Sequence, residues 1–233
     1  ADPPSIPGDP SKSLASMGIY VFNADFLFRE LLRDSQDTNS QHDFGKNLIP
    51  YFVAQKGLKI KAHNFAQSCV LSSSNSSPYW RDVGTVDAYW ECNLDLTHVT
   101  PLLDLYDPNW PILTFQAQLP PAKFVFNDDG RRGCAVDSLV ANGCIVSGSS
   151  VRNSVISTRT RINSYCTIDH SIILPEVEIG RGCQLTKVIV NRGCKLPEGL
   201  IVGEDKAEDE RRFYVSENGV VLITMNMINA LSS

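Results

Sequence analysis

The chain has 233 residues, of which 42% are hydrophobic and 20% charged, enough to bury a sizeable core in one large or two modest domains. Its formal net charge of −5 and pI of about 5.4 exclude a global positive field that would attract nucleic acid or anionic lipid. There is no apolar run of about 20 residues and no signal-peptide pattern, so we expect a cytoplasmic protein without nucleic-acid or membrane partners.

The first 99 residues mix the two periodicities of strands and helices. Met17 to Phe22 form a short apolar run typical of a strand, and residues 58–65 alternate as a strand does. Three helices are also predicted, each after a residue that can cap it: Asp25, Asp43 and Thr85. Strands alternating with helices predict an α/β domain over residues 1–99.

Residues 100–135 are rich in proline and show little periodicity, which predicts a linker. Their apolar side chains would let this linker lie packed on a surface, and they are Leu102, Leu103, Trp110, Ile112 and Phe124.

A six-residue repeat follows and assigns residues 136–233 to a left-handed parallel β-helix. Its inward aliphatic positions are predicted to be Ile156, Ile162, Ile168 and Leu174 and, after a one-residue slip, Ile179, Leu185, Val190, Leu196 and Val202. Small residues occur four positions after several inward aliphatic residues: Cys144 after Val140, Cys166 after Ile162, Cys183 after Ile179 and Cys194 after Val190. A β-sandwich is the alternative, but its turns would not recur every six residues. The fold class is therefore α/β plus β.

The seven cysteines are predicted to be free thiols, and the four in the repeat to be structural. An odd number without a secretory segment argues against a disulfide framework, and no CxxC pair indicates zinc. The four in the repeat occupy the small inward position, where a thiol behaves as a small hydrophobe. His170 raises the alternative of a β-helix acyltransferase with a histidine base, but no second acid or base accompanies it, which favours a surface histidine at a coil corner.

Two groups of polar residues are candidates for phosphate chemistry. In the segment YWRDVGT, an aromatic wall, Arg81, Asp82 and a turn glycine suit a sugar phosphate with a divalent metal, although a helix-start motif explains them equally well. In the repeat, Arg159, Arg161 and Arg192 lie at non-core positions and either converge on a phosphate or are scattered solubilising charges.

The motifs SLASMGIYVF, HDFGKNLIP, PYWRDVGTVDAYW, DLYDPNWPI and LPPAKFV, followed by the repeat, resemble the bacterial glucose-1-phosphate adenylyltransferase family. The resemblance implies a partial nucleotidyltransferase α/β domain before the β-helix. It implies synthesis of ADP-glucose and pyrophosphate from ATP and glucose 1-phosphate for glycogen, with Mg²⁺, in a homotetramer. Ser16, Tyr20 and Trp80 match the family's glucose 1-phosphate pocket, and Asp82 matches its catalytic aspartate near the metal.

The resemblance also implies regulation by a sugar-phosphate activator and by AMP or phosphate as inhibitor. Arg159 and Arg192 match arginines of the effector region, and Arg161 lies nearby in the sequence. The C-terminal tail TMNMINALSS lacks the basic residues of members activated by fructose 1,6-bisphosphate, which leaves the activator open.

The family's glycine-rich nucleotide loop, metal-binding aspartate and EKP lysine would all precede Ala1. We therefore expect an incomplete chain that is inactive alone, with most of the ATP site outside it. The alternative is a non-catalytic β-helix module for regulation or oligomerisation.

Overall fold

The computed structural model describes residues 5–6, 8–67, 79–109 and 111–231. The chain divides into two compact units, Ala1–Asn64 and Phe65–Ser233, and each is described by itself. Cys69 and Trp110, which figure in the sequence predictions, lie outside the described residues. The predicted domain boundaries stay a prediction.

The first unit contains a hairpin and two helices. They are β1 (Ser5–Ile6), β2 (Asp9–Ser13), α1 (Ala24–Ser35) and α2 (Ile49–Ala54), the last preceded by a π-helical turn at Phe44–Leu48. Asn23 caps α1 by accepting from the Phe26 amide, so the cap predicted at Asp25 is wrong by two residues and Asp25 lies in the first turn. Asp43 caps its helical segment through the Lys46 amide as predicted.

An aromatic cluster holds the first unit together. Phe52 is 2% exposed, and its ring lies 5.2 Å from that of Phe26 and 6.1 Å from that of Phe22. Phe44 and Tyr20 extend the cluster with nearly parallel rings 5.9 Å apart. Offset and tilted ring pairs at these separations stabilise a small core beyond the area they bury.

The strands predicted at Met17–Phe22 and at residues 58–65 are absent from the described part of the first unit, and both predictions are wrong. A strand exists only where a neighbouring strand completes its hydrogen bonds, and no described strand pairs with either segment. Their apolar side chains are accordingly open to solvent: Val21 is 96% exposed and Ile60 54%.

The second unit begins with α3 (Val86–Asp95). Thr85 caps this helix as predicted, since its hydroxyl accepts from the Ala88 amide at 3.1 Å. The helix ends four residues before the predicted end at Val99.

A parallel β-helix forms most of the second unit. Its strands are β3 (Lys123–Val125), β6 (Cys134–Val136), β7 (Leu139–Val140), β8 (Ile145–Ser147), β9 (Ser150–Arg152), β10 (Val155–Ile156), β11 (Arg161–Ile162), β12 (Thr167–Asp169), β13 (Ile172–Ile173), β14 (Glu178–Ile179), β15 (Gln184–Thr186), β16 (Val188–Val190), β17 (Lys195–Leu196) and β18 (Ile201–Val202). A separate hairpin, β4 (Asn127–Asp128) and β5 (Arg131–Arg132), lies between β3 and β6. The first sheet has the order β17-β14-β11-β8-β3, the second β18-β15-β12-β9-β6, and the third includes β16-β13-β10-β7. The hairpin β4–β5 interrupts the coils.

The β-helix begins inside the stretch that the sequence assigns to a linker. β3 pairs in parallel with β8, and β6 with β9. Each coil spans 17 residues from Val155 onward, as the pairs Val155–Ile172 and Ile172–Ile189 show. A coil has three strands, so one of the three intervals between successive inward residues is therefore five residues long and the other two are six.

The inward positions fill the centre of the coils. Ile156, Ile162 and Ile168 are at most 1% exposed, as predicted. The predicted inward residue Leu174 is wrong: Ile173 is fully buried there, and Leu174 packs against the outer face of the third sheet. Successive side chains of a strand point to opposite faces, so an error of one residue exchanges inside for outside.

The cysteines of the repeat are buried, at most 2% exposed, as predicted. Their thiols also donate hydrogen bonds to main-chain oxygens near the next corner: Cys144 to Ser157 at 3.0 Å, Cys166 to Gly180 at 3.0 Å and Cys183 to Pro197 at 3.1 Å. Burial raises the pKa of Cys144 and Cys194, and the hydrogen bond with Cys166 raises that of Cys183. The same hydrogen bond lowers the pKa of Cys166. The burial of all four thiols, and not the direction of their pKa shifts, indicates a structural role.

Two helices and two strands follow the coils, and the two strands complete the third sheet. They are α4 (Lys206–Arg212), β19 (Tyr214–Val215), β20 (Val221–Ile223) and α5 (Met225–Leu231). β20 pairs in parallel with β16, so it occupies the place of the next coil strand. Among the described residues, no helix has the length and apolar character needed to cross a membrane.

Candidate functional site

Ser16 and Tyr20 lie together in the first unit. The Ser16 hydroxyl is 3.0 Å from the Tyr20 hydroxyl, and it also accepts from the Gly18 amide at 3.2 Å. Gly18 has a φ of +71°, a conformation that glycine adopts without strain. The resulting turn presents two neighbouring hydroxyl groups that can donate to or accept from a sugar.

Trp80 and Asp82 lie in one loop of the second unit. Trp80 is 43% exposed, and Asp82 Oδ1 accepts from the Gly84 amide at 3.0 Å. This loop leads within three residues into the capping residue Thr85, so the start of α3 fixes where the loop ends. The four predicted sugar-site residues are thus divided between the two units: Ser16 and Tyr20 are in contact in the first, and Trp80 and Asp82 lie in one loop of the second.

Asp82 is the one predicted metal ligand. A magnesium ion takes six oxygen ligands, and no group of three or more acidic, histidine or cysteine side chains suited to a metal occurs among the described residues. Asp82 supplies one carboxylate, of which one oxygen already accepts from the Gly84 amide. Asp82 therefore offers one carboxylate to a metal, and Mg²⁺ commonly completes its coordination with substrate phosphates and water.

Helix α3 is fixed to the outer face of the third sheet. Its Leu94 forms an apolar cluster with Ile172, Ile189 and Val220, each at most 7% exposed. These residues come from strands β13 and β16 and from the turn before β20. Burial of such side chains contributes roughly 1.5–3 kcal/mol each.

Polar contacts also fix α3, and no sequence pattern predicts them. Asp87 in the first turn accepts from the Ser216 hydroxyl at 2.5 Å and from the Asn218 amide at 3.4 Å. The indole Nε1 of Trp90 donates to the His170 carbonyl at 2.8 Å. Because Asp87 and Ser216 are 129 residues apart, only the folded coils bring them together.

Arg159 and Arg192 converge at one corner of the β-helix, where a glutamate separates them. Arg192 donates to both carboxylate oxygens of Glu176, from Nη2 to Oε1 at 2.9 Å and from Nε to Oε2 at 3.2 Å. Arg159 Nη1 lies 3.5 Å from Oε1 of the same carboxylate. The hydrogen bond from Arg192, and then its charge, lower the pKa of Glu176. Glu176 was not among the predicted site residues.

Arg161 lies apart from this corner. It is in β11, where it pairs with Glu178 of the next coil, and its Nε contacts the Asn163 side chain at 3.4 Å. The structure thus supports convergence for Arg159 and Arg192 and gives no contact between them and Arg161.

The strands on which α3 packs also lead to the corner that holds Arg159, Glu176 and Arg192. Arg159 follows β10 by three residues, Glu176 follows β13 by three, and Arg192 follows β16 by two. β10, β13 and β16 are the adjacent strands of the third sheet on which α3 packs. Helix α3, which begins shortly after Asp82, therefore packs on the strands that precede Arg159 and Arg192.

His170 lies at another coil corner, with a φ of +45° and a half-exposed side chain. Its Nδ1 is 2.8 Å from Asp169, and its carbonyl accepts from Trp90. These contacts agree with the predicted surface position and give His170 a role in holding α3.

Comparison with known proteins supports the two-part organisation. Residues 6–99 match the nucleotidyl transferase family, and residues 120–223 match the GlmU-like C-terminal hexapeptide family. The chain is 56% identical over 231 residues to a glucose-1-phosphate adenylyltransferase of Mesorhizobium japonicum, which covers 99% of this chain and 54% of that protein. The chain thus spans about half the length of this relative. The predicted resemblance and the predicted fold class are confirmed.

Proposed function

We propose that this chain, which joins a nucleotidyl transferase segment to a left-handed hexapeptide β-helix, carries part of a glucose-1-phosphate adenylyltransferase. The reaction would join ATP and glucose 1-phosphate into ADP-glucose and release pyrophosphate, as a step of glycogen synthesis. The observation that carries this proposal is the 56% identity along 99% of the chain to a protein of that name.

In the proposed reaction, an oxygen of the sugar phosphate attacks the α-phosphorus of ATP and pyrophosphate leaves. Ser16 and Tyr20 bind glucose 1-phosphate, and their adjacent hydroxyls support that role. Trp80 offers an exposed aromatic face for the sugar, as aromatic side chains do in ligand sites. Asp82 is the catalytic carboxylate, held by the Gly84 amide.

Nucleotidyl transferases use a divalent metal, and we propose Mg²⁺ here with Asp82 as one of its ligands. The ion would offset the negative charge of the phosphates. Substrate phosphates and water would supply its further ligands, as is usual for Mg²⁺.

The corner of Arg159 and Arg192 is the proposed effector site, where a sugar-phosphate activator competes with AMP or phosphate. Two guanidinium groups that meet at one place support this role, since guanidinium binds phosphate through paired hydrogen bonds. Arg161 is a weaker candidate because it lies on another row of the coils. We also propose a homotetramer in the cytoplasm, where buried free thiols stay reduced.

The test is an assay of the full-length protein with ATP, glucose 1-phosphate and Mg²⁺. We expect ADP-glucose and pyrophosphate to form in equal amounts, and the rate to respond to a sugar phosphate. A purified, folded protein that forms neither product with these substrates contradicts the proposal and favours a non-catalytic β-helix module.

A further inference from the structure

A carboxylate occupies the place between the two arginines of the proposed effector site. Arg192 engages both oxygens of Glu176 with two of its nitrogens, at 2.9 and 3.2 Å, and Arg159 reaches the same group at 3.5 Å. A guanidinium group binds a phosphate in the same side-on manner. Glu176 therefore uses the donors that a phosphate group would need.

The backbone places the three side chains in adjacent coils. Arg159 and Glu176 lie in one corner row, one coil apart, with φ of +60° and +64°. Glycine occupies this row in the coils before and after them, at Gly143 and Gly193. Arg192 precedes Gly193, so the carboxylate lies on the coil between the two arginines.

We propose that Glu176 is an internal anion that holds the arginine pair and competes with the phosphate group of an effector. It thereby sets how tightly an effector binds. This inference rests on the proposed function, since it concerns the same arginine corner, and it adds the residue that controls the affinity of that corner.

Glu176 can be displaced because the three side chains are accessible to solvent. They are 55% exposed for Arg159, 66% for Arg192 and 38% for Glu176. Exposed ion pairs are weak. A phosphate carries more charge than a carboxylate and has a third oxygen for Arg159. The lowered pKa of Glu176 agrees with a carboxylate that stays ionised near neutral pH.

The test compares binding of inorganic phosphate to the full-length protein and to its Glu176→Gln variant, by isothermal titration calorimetry. Glutamine keeps the size of the side chain and removes its charge. We expect phosphate to bind about five-fold more tightly to the variant, the factor that corresponds to an exposed ion pair of roughly 1 kcal/mol. Glu210→Gln is the matched control, because Glu210 is exposed and its ion pair, with Lys206 at 3.7 Å, lies in α4. We expect no change in that variant.

A second variant separates this inference from the proposed function. Glu176→Gln combined with Arg192→Ala should lose the gain in affinity, because the donors that Glu176 releases are then missing. Equal phosphate affinity in the Glu176→Gln variant and the unchanged protein overturns the role of Glu176, even if sugar phosphates activate the enzyme. A gain in affinity without any ADP-glucose synthesis supports the role of Glu176 and contradicts the proposed reaction.

Discussion

The coils of the β-helix and the unit of residues 1–64 bury their apolar side chains very differently. Ile162 and Ile168 in the coils are fully buried, whereas Leu14 and Val21 in the first unit are 77% and 96% exposed. A coil strand finds its partner 17 residues away, so the repeat supplies its own neighbours. An α/β sheet needs strands from distant parts of a chain. In this chain, an apolar run therefore predicted a strand correctly only in the repeat, where the strand that pairs with it follows at a fixed spacing in the sequence.

The largest expected effect tests this contrast directly. Ile168→Ala should lower the free energy of unfolding of the second unit by about 2–5 kcal/mol, because it opens a cavity in a fully packed coil. Val21→Ala should change stability by less than about 0.5 kcal/mol, since its side chain is exposed. Urea unfolding of both variants measures the difference. Equal effects would contradict the assignment of the core to the coils.

The next largest effect is expected at Asp82, which can be compared with a second aspartate whose carboxylate also accepts from an amide two residues on. Asp82→Asn should reduce turnover in the full-length enzyme about a hundredfold, because it removes a carboxylate that would hold the Mg²⁺ offsetting the charge of the phosphates, while the protein stays folded. Asp37→Asn in the first unit is the control, because Asp37 Oδ1 likewise accepts an amide two residues on, at 2.9 Å. Steady-state assays of ADP-glucose formation measure both. Near-normal turnover in Asp82→Asn would remove Asp82 from the reaction.

A smaller effect concerns the contact between α3 and the coils. Ser216→Ala leaves Asp87 without the hydroxyl that donates to it and should lower the free energy of unfolding by about 1–2 kcal/mol. Ser35→Ala removes an exposed hydroxyl that donates to the Leu32 carbonyl and should cost less. Calorimetric unfolding distinguishes the two. A Ser216 variant as stable as the Ser35 variant would show that the hydrogen bond from Ser216 does not contribute to holding α3.

The smallest effect is a pH dependence in the first unit. The hydrogen bond from His42 is the first cause that lowers the pKa of Asp34 from 3.8, at a distance of 2.9 Å. The folded state then binds this proton more weakly than the unfolded chain. The pair therefore stabilises the fold above pH 3.8, and the contribution disappears as the pH falls through the lower folded-state value. Asp34→Asn should flatten this part of the curve of unfolding free energy against pH, whereas Asp37→Asn should keep it.

Much of the β-helix could be predicted because its signal is local. The six-residue spacing of Ile156, Ile162 and Ile168 marks three strands that face one core. The five-residue step at Ile173 was misplaced by one residue, because two neighbouring aliphatic residues fit the spacing equally well. Caps at Asp43 and Thr85 were also visible, since a cap acts on the helix beside it.

The contacts that define the candidate site were mostly not predictable. Glu176 meets Arg192 because both lie near the same corner in successive coils of 17 residues, and the spacing of the aliphatic residues does not show which side chains meet at a corner. Ser216 meets Asp87 only after the coils are built. The resemblance identified Ser16, Tyr20, Trp80 and Asp82 as candidates, but no pattern within the chain could relate the first pair to the second.

The stacking of coils sets fixed distances between charged side chains at a corner of the β-helix. Neighbouring parallel strands are about 4.8 Å apart. Arg159 and Arg192 are two coils apart, and Glu176 lies on the coil between them. Inserting one further 17-residue coil between Glu176 and Arg192 would preserve the hydrogen-bonded sheets and add one strand to each of them. The two guanidinium groups would then be too far apart for one phosphate but well spaced for a molecule with two. The number of coils, as well as the identity of the arginines, would thus determine which anions the corner accepts.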